Sequence, residues 1–269
     1  MIILYDFYRK IFARQFFMRF NVFLYNCSLR GLGIWNYENM DVSGENNLVK
    51  KHLKNIAKER NEFVVFDVGA NLGDYTKLIL SDITNVRCFS FEPHPNTFLK
   101  LKNNLSSMPN LKLYNCALSS EITKMKLFDY ESMDGSSHAS LSEDIFDVVH
   151  KSKVVSHDVD VLTVDEVALE NELEKIDFLK IDVEGYELDV LKGARNMLDK
   201  DMIDFIQFEF TQLNSTTRVF FKDFWDLLSR GYKIYRLLPS GLLSINEYNP
   251  TTNEIFGYQN YVAIRKGLT

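Results

Sequence analysis

The 269-residue sequence predicts an α/β fold in which a mostly parallel sheet is covered by helices on both faces and closed by antiparallel strands. Three observations predict it. Short apolar runs rich in β-branched and aromatic residues alternate with segments of helical spacing. The last two predicted strands, 232–238 and 260–266, have no convincing helix between them. Extended segments at 121–128 and 153–161 interrupt the alternation, which indicates an insertion.

The elements follow in order. The first strand, FVVFDV at 63–68, is almost wholly apolar, as expected of a strand buried on both faces. A glycine turn follows, and helical spacing begins at Leu72. Later strands are predicted at 86–91, 111–117, 176–183 and 203–210, and later helices at 98–105, 188–198 and 219–230. We expect an N-terminal helical extension at 1–60 and an α/β domain at 61–269, with an insertion around 119–162.

Composition excludes some function classes. The chain is 46% hydrophobic and 25% charged, a balance typical of globular proteins. Its net charge of −6 argues against nucleic acid as a partner, since phosphate binding needs a basic face. The three cysteines match neither a zinc motif nor a disulfide framework, so a reducing cytoplasm is the expected location.

The glycine turn at Gly69–Gly73 indicates a nucleotide-like ligand, because ligands of open α/β sheets lie at the carboxyl ends of the strands. A nicotinamide-binding turn would place glycines where Asn71 and Asp74 stand, and Asp74 would repel a pyrophosphate from the helix N-terminus. Asp67 instead suits a positively charged cofactor without phosphates, as S-adenosylmethionine is. Glu92, at the end of the second strand, could accept both ribose hydroxyls.

The stretch IDFLKIDVEGYELDVLKGA, 176–194, is the second unusual feature. Lys180, Asp182 and Glu184 alternate at the end of a strand that otherwise reads as buried. Buried charges are costly unless they are paired, so such residues usually have a use. The structural interpretation is that Lys180 pairs with a neighbouring carboxylate and only stabilises the strand end.

These stretches together resemble the FkbM family of S-adenosylmethionine-dependent methyltransferases. The resemblance rests on FDVGANLGDYT, FSFEPHPNTF, NCALS and DFLKIDVEGYELDVLKGA followed by IQFEF, and NYENMDVSGE upstream is also similar. It covers about residues 36–210. It implies a class I methyltransferase (Rossmann-like) fold with a seven-stranded sheet, and O-methylation, often of sugar hydroxyls in glycans, glycolipids or natural products.

Site residues carry over by position from this resemblance. The methionine end of the cofactor would be lined by Asp67, Gly69, Asn71 and Gly73. Glu92 would bind the ribose, and Ala117 would lie at the adenine edge. The transfer site would be faced by Lys180, Asp182 and Glu184.

The chemistry expected at this site is removal of a proton from an acceptor hydroxyl. Asp182 and Glu209 end the fourth and fifth strands, and Glu184 lies close behind. Asp182 is the first choice for the general base, with Lys180 as its electrostatic partner. Two such carboxylates could also hold a divalent metal, although no third ligand is evident, so metal-free catalysis is the preferred interpretation. His138, in the loop DGSSHASL, could belong to an acceptor lid or to a plain solvated loop.

The last feature is the first 25 residues. They are basic and rich in aromatic side chains, although the chain as a whole is acidic. Such a helix could lie in a membrane interface at the inner face of a membrane and bring the protein to a lipid-linked sugar. It could equally cover an edge of the core or pair with a second copy in a homodimer. For the chain as a whole, a small-molecule or glycan methyltransferase is expected, and an inactive binding protein with the same fold is the alternative.

Overall fold

The computed structural model describes residues 2–130, 141 and 154–268. The chain is helical before the sheet begins. These helices are α1 (Ile2–Phe12), α2 (Met18–Gly31), α3 (Met40–Ser43), α4 (Glu45–Asn47) and α5 (Lys54–Ala57). A short 3-10 turn (Gln15–Phe17) precedes α2, and a π-helical segment (Leu48–Leu53) joins α4 to α5.

The described strands are β1 (Phe63–Val68), β2 (Val86–Phe91), β3 (Leu111–Tyr114), β4 (Ala117–Leu118), β5 (Thr123–Tyr130), β6 (Val154–Leu162), β7 (Ile176–Ile181), β8 (Ile203–Phe210), β9 (Tyr232–Leu238), β10 (Gly241–Ile245) and β11 (Gln259–Arg265). The remaining helices are α6 (Asp74–Asp82), α7 (Pro95–Leu105), α8 (Val164–Glu170), α9 (Glu187–Lys192), α10 (Arg195–Asp199), α11 (Leu213–Thr217), α12 (Phe221–Leu228) and α13 (Pro250–Asn253).

Eight of the described strands form one sheet in the order β10-β9-β11-β8-β7-β1-β2-β3. The run from β8 to β3 is parallel, and β11 lies antiparallel between β8 and β9. The predicted fold class is therefore confirmed, including the antiparallel pairing of the last two predicted strands. Because the central strands are parallel, their carboxyl ends share one edge of the sheet.

The two extended segments predicted inside the insertion are also strands. Thr123 pairs with Val161 and Tyr130 with Val154 in an antiparallel β5–β6 pair, and β4 adds to β6 in parallel. These three strands form a second, smaller sheet. The candidate lid residue His138 lies outside the described residues.

Two predictions about strands were wrong. The segment 111–117 is not one strand, because β3 joins the large sheet whereas β4 joins the small one. Between them the Asn115 side chain donates hydrogen bonds to the carbonyls of Glu92 and Pro93, and these bonds hold the chain in a turn. The family resemblance implied seven strands, but β10 adds an eighth by pairing antiparallel with β9.

Ion pairs join the amino ends of the central strands, at the opposite edge of the sheet. Asp204 on β8 is fully buried and accepts hydrogen bonds from Arg60 and Arg265, while Lys175 lies against the same carboxylate. Asp177 on β7 accepts from Arg60 and from the backbone N–H of Val64 on β1. These contacts tie β1, β7 and β8 together at that edge.

Helix α7 supports the turn that follows β1. Leu101 and Leu105 are buried in one cluster with Ala70 of the turn. Gly73 has a φ of +92°, and a Cβ at this position would stand 2.7 Å from the Cδ1 atoms of both leucines. Glycine is therefore required here by its conformation and by the close approach of α7.

We expect Leu101→Ala to lower the free energy of unfolding by about 2–5 kcal/mol, because it empties space that a fully buried side chain fills. Leu99→Ala on the same helix is the matched control. Leu99 is 59% exposed, so its loss should change that free energy by less than about 0.5 kcal/mol. Urea unfolding followed by circular dichroism measures both variants, and equal losses would contradict the role assigned to Leu101.

Candidate active site

A cavity of about 730 Å³ lies at the carboxyl edge of the sheet, where β1, β2, β7 and β8 end. That size is ordinary for a small-molecule site. Seven of the ten residues singled out in the sequence line it: Gly69, Asn71, Glu92, Ala117, Asp182, Glu184 and Glu209. The other three, Asp67, Gly73 and Lys180, lie behind the wall.

The turn after β1 brings two strand ends into contact. Gly69 has a φ of +80°, and a Cβ there would stand 1.8 Å from the carbonyl oxygen of Asp182. Only glycine allows β1 and β7 to end this close together. Gly73 was expected beside the ligand, but it faces Leu101 and Leu105 instead. In the structure it allows the turn to pack closely against α7.

Glu92 follows β2 and is held by backbone amides from two sides. The N–H of Asn71 donates to its Oε2 at 3.0 Å, and the N–H of His94 donates to its Oε1 at 2.8 Å. Burial raises the pKa of Glu92 to about 7 despite these two donors. The side chain is therefore fixed in orientation at the cavity wall, with a charge that changes near neutral pH.

A buried lysine joins the two central strands below the cavity. The Nζ of Lys180 lies 3.3 Å from the Oδ1 of Asp67 and 3.1 Å from the Oδ2 of Asp182. Burial alone would lower the pKa of Lys180, but the carboxylates of Asp182 and Asp67 raise it overall. Lys180 therefore stays charged, as the structural interpretation of the sequence expected, and it fixes Asp182 at the cavity.

Asp67 is completely buried, and its second oxygen is also occupied. The hydroxyl of Thr76 on α6 donates to Oδ2 at 2.6 Å and lies 2.7 Å from the hydroxyl of Ser90 on β2. Both oxygens of Asp67 thus have partners inside the protein. Asp67 therefore influences the cavity through its ion pair with Lys180 and through the backbone. Lys180 was likewise expected to face the transfer site, but it is a buried partner of two carboxylates.

Carboxylates line one wall of the cavity. Asp182, Glu184 and Glu209 belong to the lining, and burial raises the pKa of Glu209 well above its usual range, with the nearby Asp182 acting in the same direction. The protonated form of Glu209 is therefore favoured relative to that of an exposed glutamate. Glu45 of α4 joins this group electrostatically, and burial raises its pKa as well.

The sequence reasoning missed Tyr258, which lines the cavity together with the carboxylates. Burial raises its pKa, and its hydrogen bond with Glu209 adds to this effect. Its hydroxyl also accepts from the side chain of Asn260 at 3.0 Å. Gln207 donates to Asn260 and to Glu45, which links β8, β11 and α4. Glu45 stood in the segment already noted for its resemblance, whereas no local pattern marked Tyr258.

The remaining walls are apolar and aromatic. Ala117 and Leu118 of β4 and Phe91 of β2 form one side, and Trp35 and Tyr37 form the rim after α2. In the described part of the chain no three histidine, cysteine or acidic side chains are arranged to hold a metal ion.

The model of the methyltransferase FkbM domain matches residues 67–234. The chain belongs to the FkbM methyltransferase family. The matched range contains every residue of the candidate active site described above except the N-terminal rim, Glu45, Tyr258 and Asn260.

Three relatives show the range of similarity. The hexuronic acid methyltransferase AglP of Haloferax volcanii is 31% identical over 167 residues, which cover 61% of this chain and 62% of AglP. Methyltransferase sdnD of Sordaria araneosa is 28% identical over 158 residues, covering 50% of this chain and 61% of sdnD. The 2-O-methyltransferase NoeI of Sinorhizobium fredii is 24% identical over 169 residues, covering 58% and 67%. The chain thus spans about three-fifths of the length of AglP and sdnD.

Among solved structures, TrmK of M. capricolum in complex with S-adenosylhomocysteine aligns with 81% of this chain and 70% of its own, at 12% identity and a TM-score of 0.39. A likeness of this degree carries no inference about the site.

We expect Lys180→Met to lower the free energy of unfolding by about 3–5 kcal/mol, because it leaves the buried carboxylate of Asp67 without its cation. Adding Asp67→Asn should recover most of that loss, since the uncompensated charge is then gone. Chemical denaturation of the single and double variants measures the coupling.

Lys192→Met is the matched control, because Lys192 forms an exposed pair with Asp189. It should change the free energy of unfolding by less than about 1 kcal/mol. If Lys180→Met were as mild as this control, Lys180 would not be the cation that the two strands depend on.

Proposed function

We propose that this protein transfers a methyl group from S-adenosylmethionine to a hydroxyl of a sugar-containing acceptor. The main support for the proposal is that carboxylates lie at two separate places on the wall of one cavity. Glu92 ends β2 on one side, and Asp182, Glu184 and Glu209 stand together on the other. Membership of the FkbM methyltransferase family supports it.

The residues present fit this cofactor. Glu92 has a fixed carboxylate suited to two vicinal hydroxyls. The acidic wall suits a ligand that carries positive charge on its sulfonium and amino groups, and the apolar side at Ala117 suits an adenine ring. Gly69 and Asn71 line the space between the two carboxylate sets. When bound, S-adenosylmethionine would supply a methyl group on positively charged sulfur.

Asp182 is the residue proposed to take the proton from the acceptor hydroxyl. Its side chain is about a third exposed, and Lys180 holds it in place at 3.1 Å. Burial raises the pKa of Glu209 and favours its protonated form, which makes it a candidate hydrogen-bond donor to the acceptor. Glu184 lies beside them at the cavity wall. In this proposal Asp182 accepts the proton and Glu209 donates a hydrogen bond, and neither role requires a divalent metal.

The acceptor is proposed to be a sugar on two grounds. Two relatives are described as a hexuronic acid methyltransferase and a 2-O-methyltransferase. The cavity rim combines the aromatic rings of Trp35 and Tyr37 with the guanidinium of Arg30. Aromatic walls with a few polar groups suit a ligand that has both apolar faces and hydroxyls.

The first test concerns the cofactor and uses S-adenosylhomocysteine in titration calorimetry. Ionised Glu92 accepts hydroxyls better than its protonated form, and its pKa is about 7. We therefore expect affinity to fall about tenfold as the pH is lowered from about 8 to about 6. Glu92→Gln should lower affinity at pH 8 by about 10–100-fold and remove the pH dependence.

Glu187→Gln is the matched control for that titration. Burial raises the pKa of Glu187 to about 7 as well, but its side chain accepts from the backbone of Val183 and Gly185 and is not part of the cavity wall. This variant should keep the pH dependence. Absence of S-adenosylhomocysteine binding by the wild-type protein would reject both the cofactor and the proposed reaction.

The second test concerns the base. Asp182→Asn should still bind S-adenosylhomocysteine and should lower kcat by about 10²–10⁴, the usual contribution of general-base catalysis. Glu209→Gln should lower kcat by less than about tenfold, because burial favours the neutral form of the side chain it replaces. The readout is transfer of labelled methyl to a panel of free sugars, glycosides and glycolipids, with mass spectrometry to find a product heavier by one CH₂ group. A greater loss in Glu209→Gln than in Asp182→Asn would assign the base to Glu209.

A further inference from the structure

We propose that residues 2–31 form a docking element for anionic membrane surfaces. The evidence is the combination of exposed apolar side chains, positive charge and position beside the cavity. This inference goes beyond methyl transfer and does not depend on it.

The segment is a helical hairpin that contributes little to the core. The ring of Phe12 at the end of α1 stacks with Tyr8 at 4.7 Å and lies 5.7 Å from Phe20 of α2. The hydroxyl of Tyr8 donates to the side chain of Asn21 at 2.6 Å. Leu29 is the one side chain of α2 that is buried among the described residues. The interpretation of the segment as a cover for an edge of the core is therefore not supported.

Large apolar side chains are concentrated on this hairpin. Of the twenty large hydrophobic residues that are exposed in the described chain, twelve lie between Ile3 and Leu32. Phe16 at the bend is 88% exposed and Ile3 is 86% exposed, and Phe23 on α2 is 61% exposed. Exposed apolar side chains concentrated in one segment favour contact with a protein or a membrane.

The positive charge of the hairpin favours a lipid surface over a second copy of the chain as its partner. The segment carries five basic residues and one acid, a charge of +4, whereas the rest of the chain carries 26 basic and 36 acidic residues, a charge of −10. A second copy would bring two positive hairpins together, which like charges oppose. An anionic lipid surface attracts the basic residues and accepts the exposed aromatic side chains at the headgroup level. None of the described helices combines the length and apolar character needed to cross a bilayer, so the hairpin would lie at the interface.

The base of the hairpin belongs to the cavity rim. Arg30 of α2 lines the cavity and forms an ion pair with Glu38 at 2.7 Å. Trp35, four residues after α2 ends, donates its backbone N–H to the carbonyl of Tyr258 at 2.7 Å. A hairpin bound to lipid would therefore hold the cavity close to the membrane surface. If the proposed function is accepted, this placement favours an acceptor sugar that is carried by a lipid.

The test is co-sedimentation of the full-length protein with vesicles of phosphatidylcholine alone or of phosphatidylcholine mixed with phosphatidylglycerol. We expect binding to the anionic vesicles only, and loss of binding as salt is raised from about 0.1 M to about 1 M. Each positive charge near an anionic surface changes affinity by about fivefold. The triple variant Arg9→Gln, Lys10→Gln, Arg14→Gln should therefore bind about 100-fold more weakly.

The matched control is Lys58→Gln, Lys77→Gln, Lys200→Gln, which removes three exposed positive charges from the rest of the chain. It should bind vesicles as the wild type does. All variants should keep wild-type thermal unfolding and S-adenosylhomocysteine affinity, because the changed side chains are exposed and lie outside the cavity. Equal vesicle binding by the two triple variants, or none by the wild type, would overturn the proposal.

A second variant, Phe7→Ser, Phe16→Ser, Phe23→Ser, tests the apolar contribution. It should also lose vesicle binding while the protein sediments as the same species in lipid-free solution. If the wild type instead sedimented as a dimer that this variant dissociated, the hairpin would be an interface between two copies, and the membrane proposal would be wrong.

Discussion

The ion pair between Lys180 and its two aspartates is the interaction on which the rest of the site depends. It joins β1 to β7 at the point where both strands end. The close contact of Gly69 with the carbonyl of Asp182 fixes the register of the two strands there. The positions of the turn after β1, of Asp182 and of the loop carrying Glu184 are thereby set by one buried cation. Charges inside a sheet are tolerated only when paired in this manner, which explains why the strand breaks its apolar pattern here.

The fold could be predicted from the sequence because the central strands are buried on both faces and therefore read as unbroken apolar runs. Glu92 and Asp182 could be placed at the cavity for a related reason. Each is the polar residue that follows an apolar run, and parallel topology brings such strand ends to one edge. The apolar runs and the parallel topology together predict that part of the site.

The missed features depend on contacts between distant parts of the chain. Tyr258 reaches the cavity because β11 is inserted antiparallel beside β8, and Glu45 is linked to the site because Gln207 of β8 donates a hydrogen bond to it. No local pattern marks Tyr258, and Glu45 stood in a segment noted for resemblance but not for a role at the site. The sequence did not show that 111–117 divides into two strands, because the segment reads as continuously extended. The first strand ends where the side chain of Asn115 forms its hydrogen bond to the carbonyl of Glu92. Gly73 was assigned to the ligand since its sequence motif does not say whether a glycine faces a cavity or a helix.

The acidic wall has a consequence for the end of the proposed reaction cycle. S-adenosylmethionine, if it is the cofactor as proposed, would lose the positive charge on its sulfur with the methyl group, so S-adenosylhomocysteine would be attracted to Asp182 and Glu184 less strongly than the molecule that entered. Charges a few ångströms apart in a partly buried site interact by about 4 kcal/mol, enough to alter residence time substantially. The same carboxylates that favour loading would thus favour departure of the spent molecule, and turnover would need no separate device to expel it.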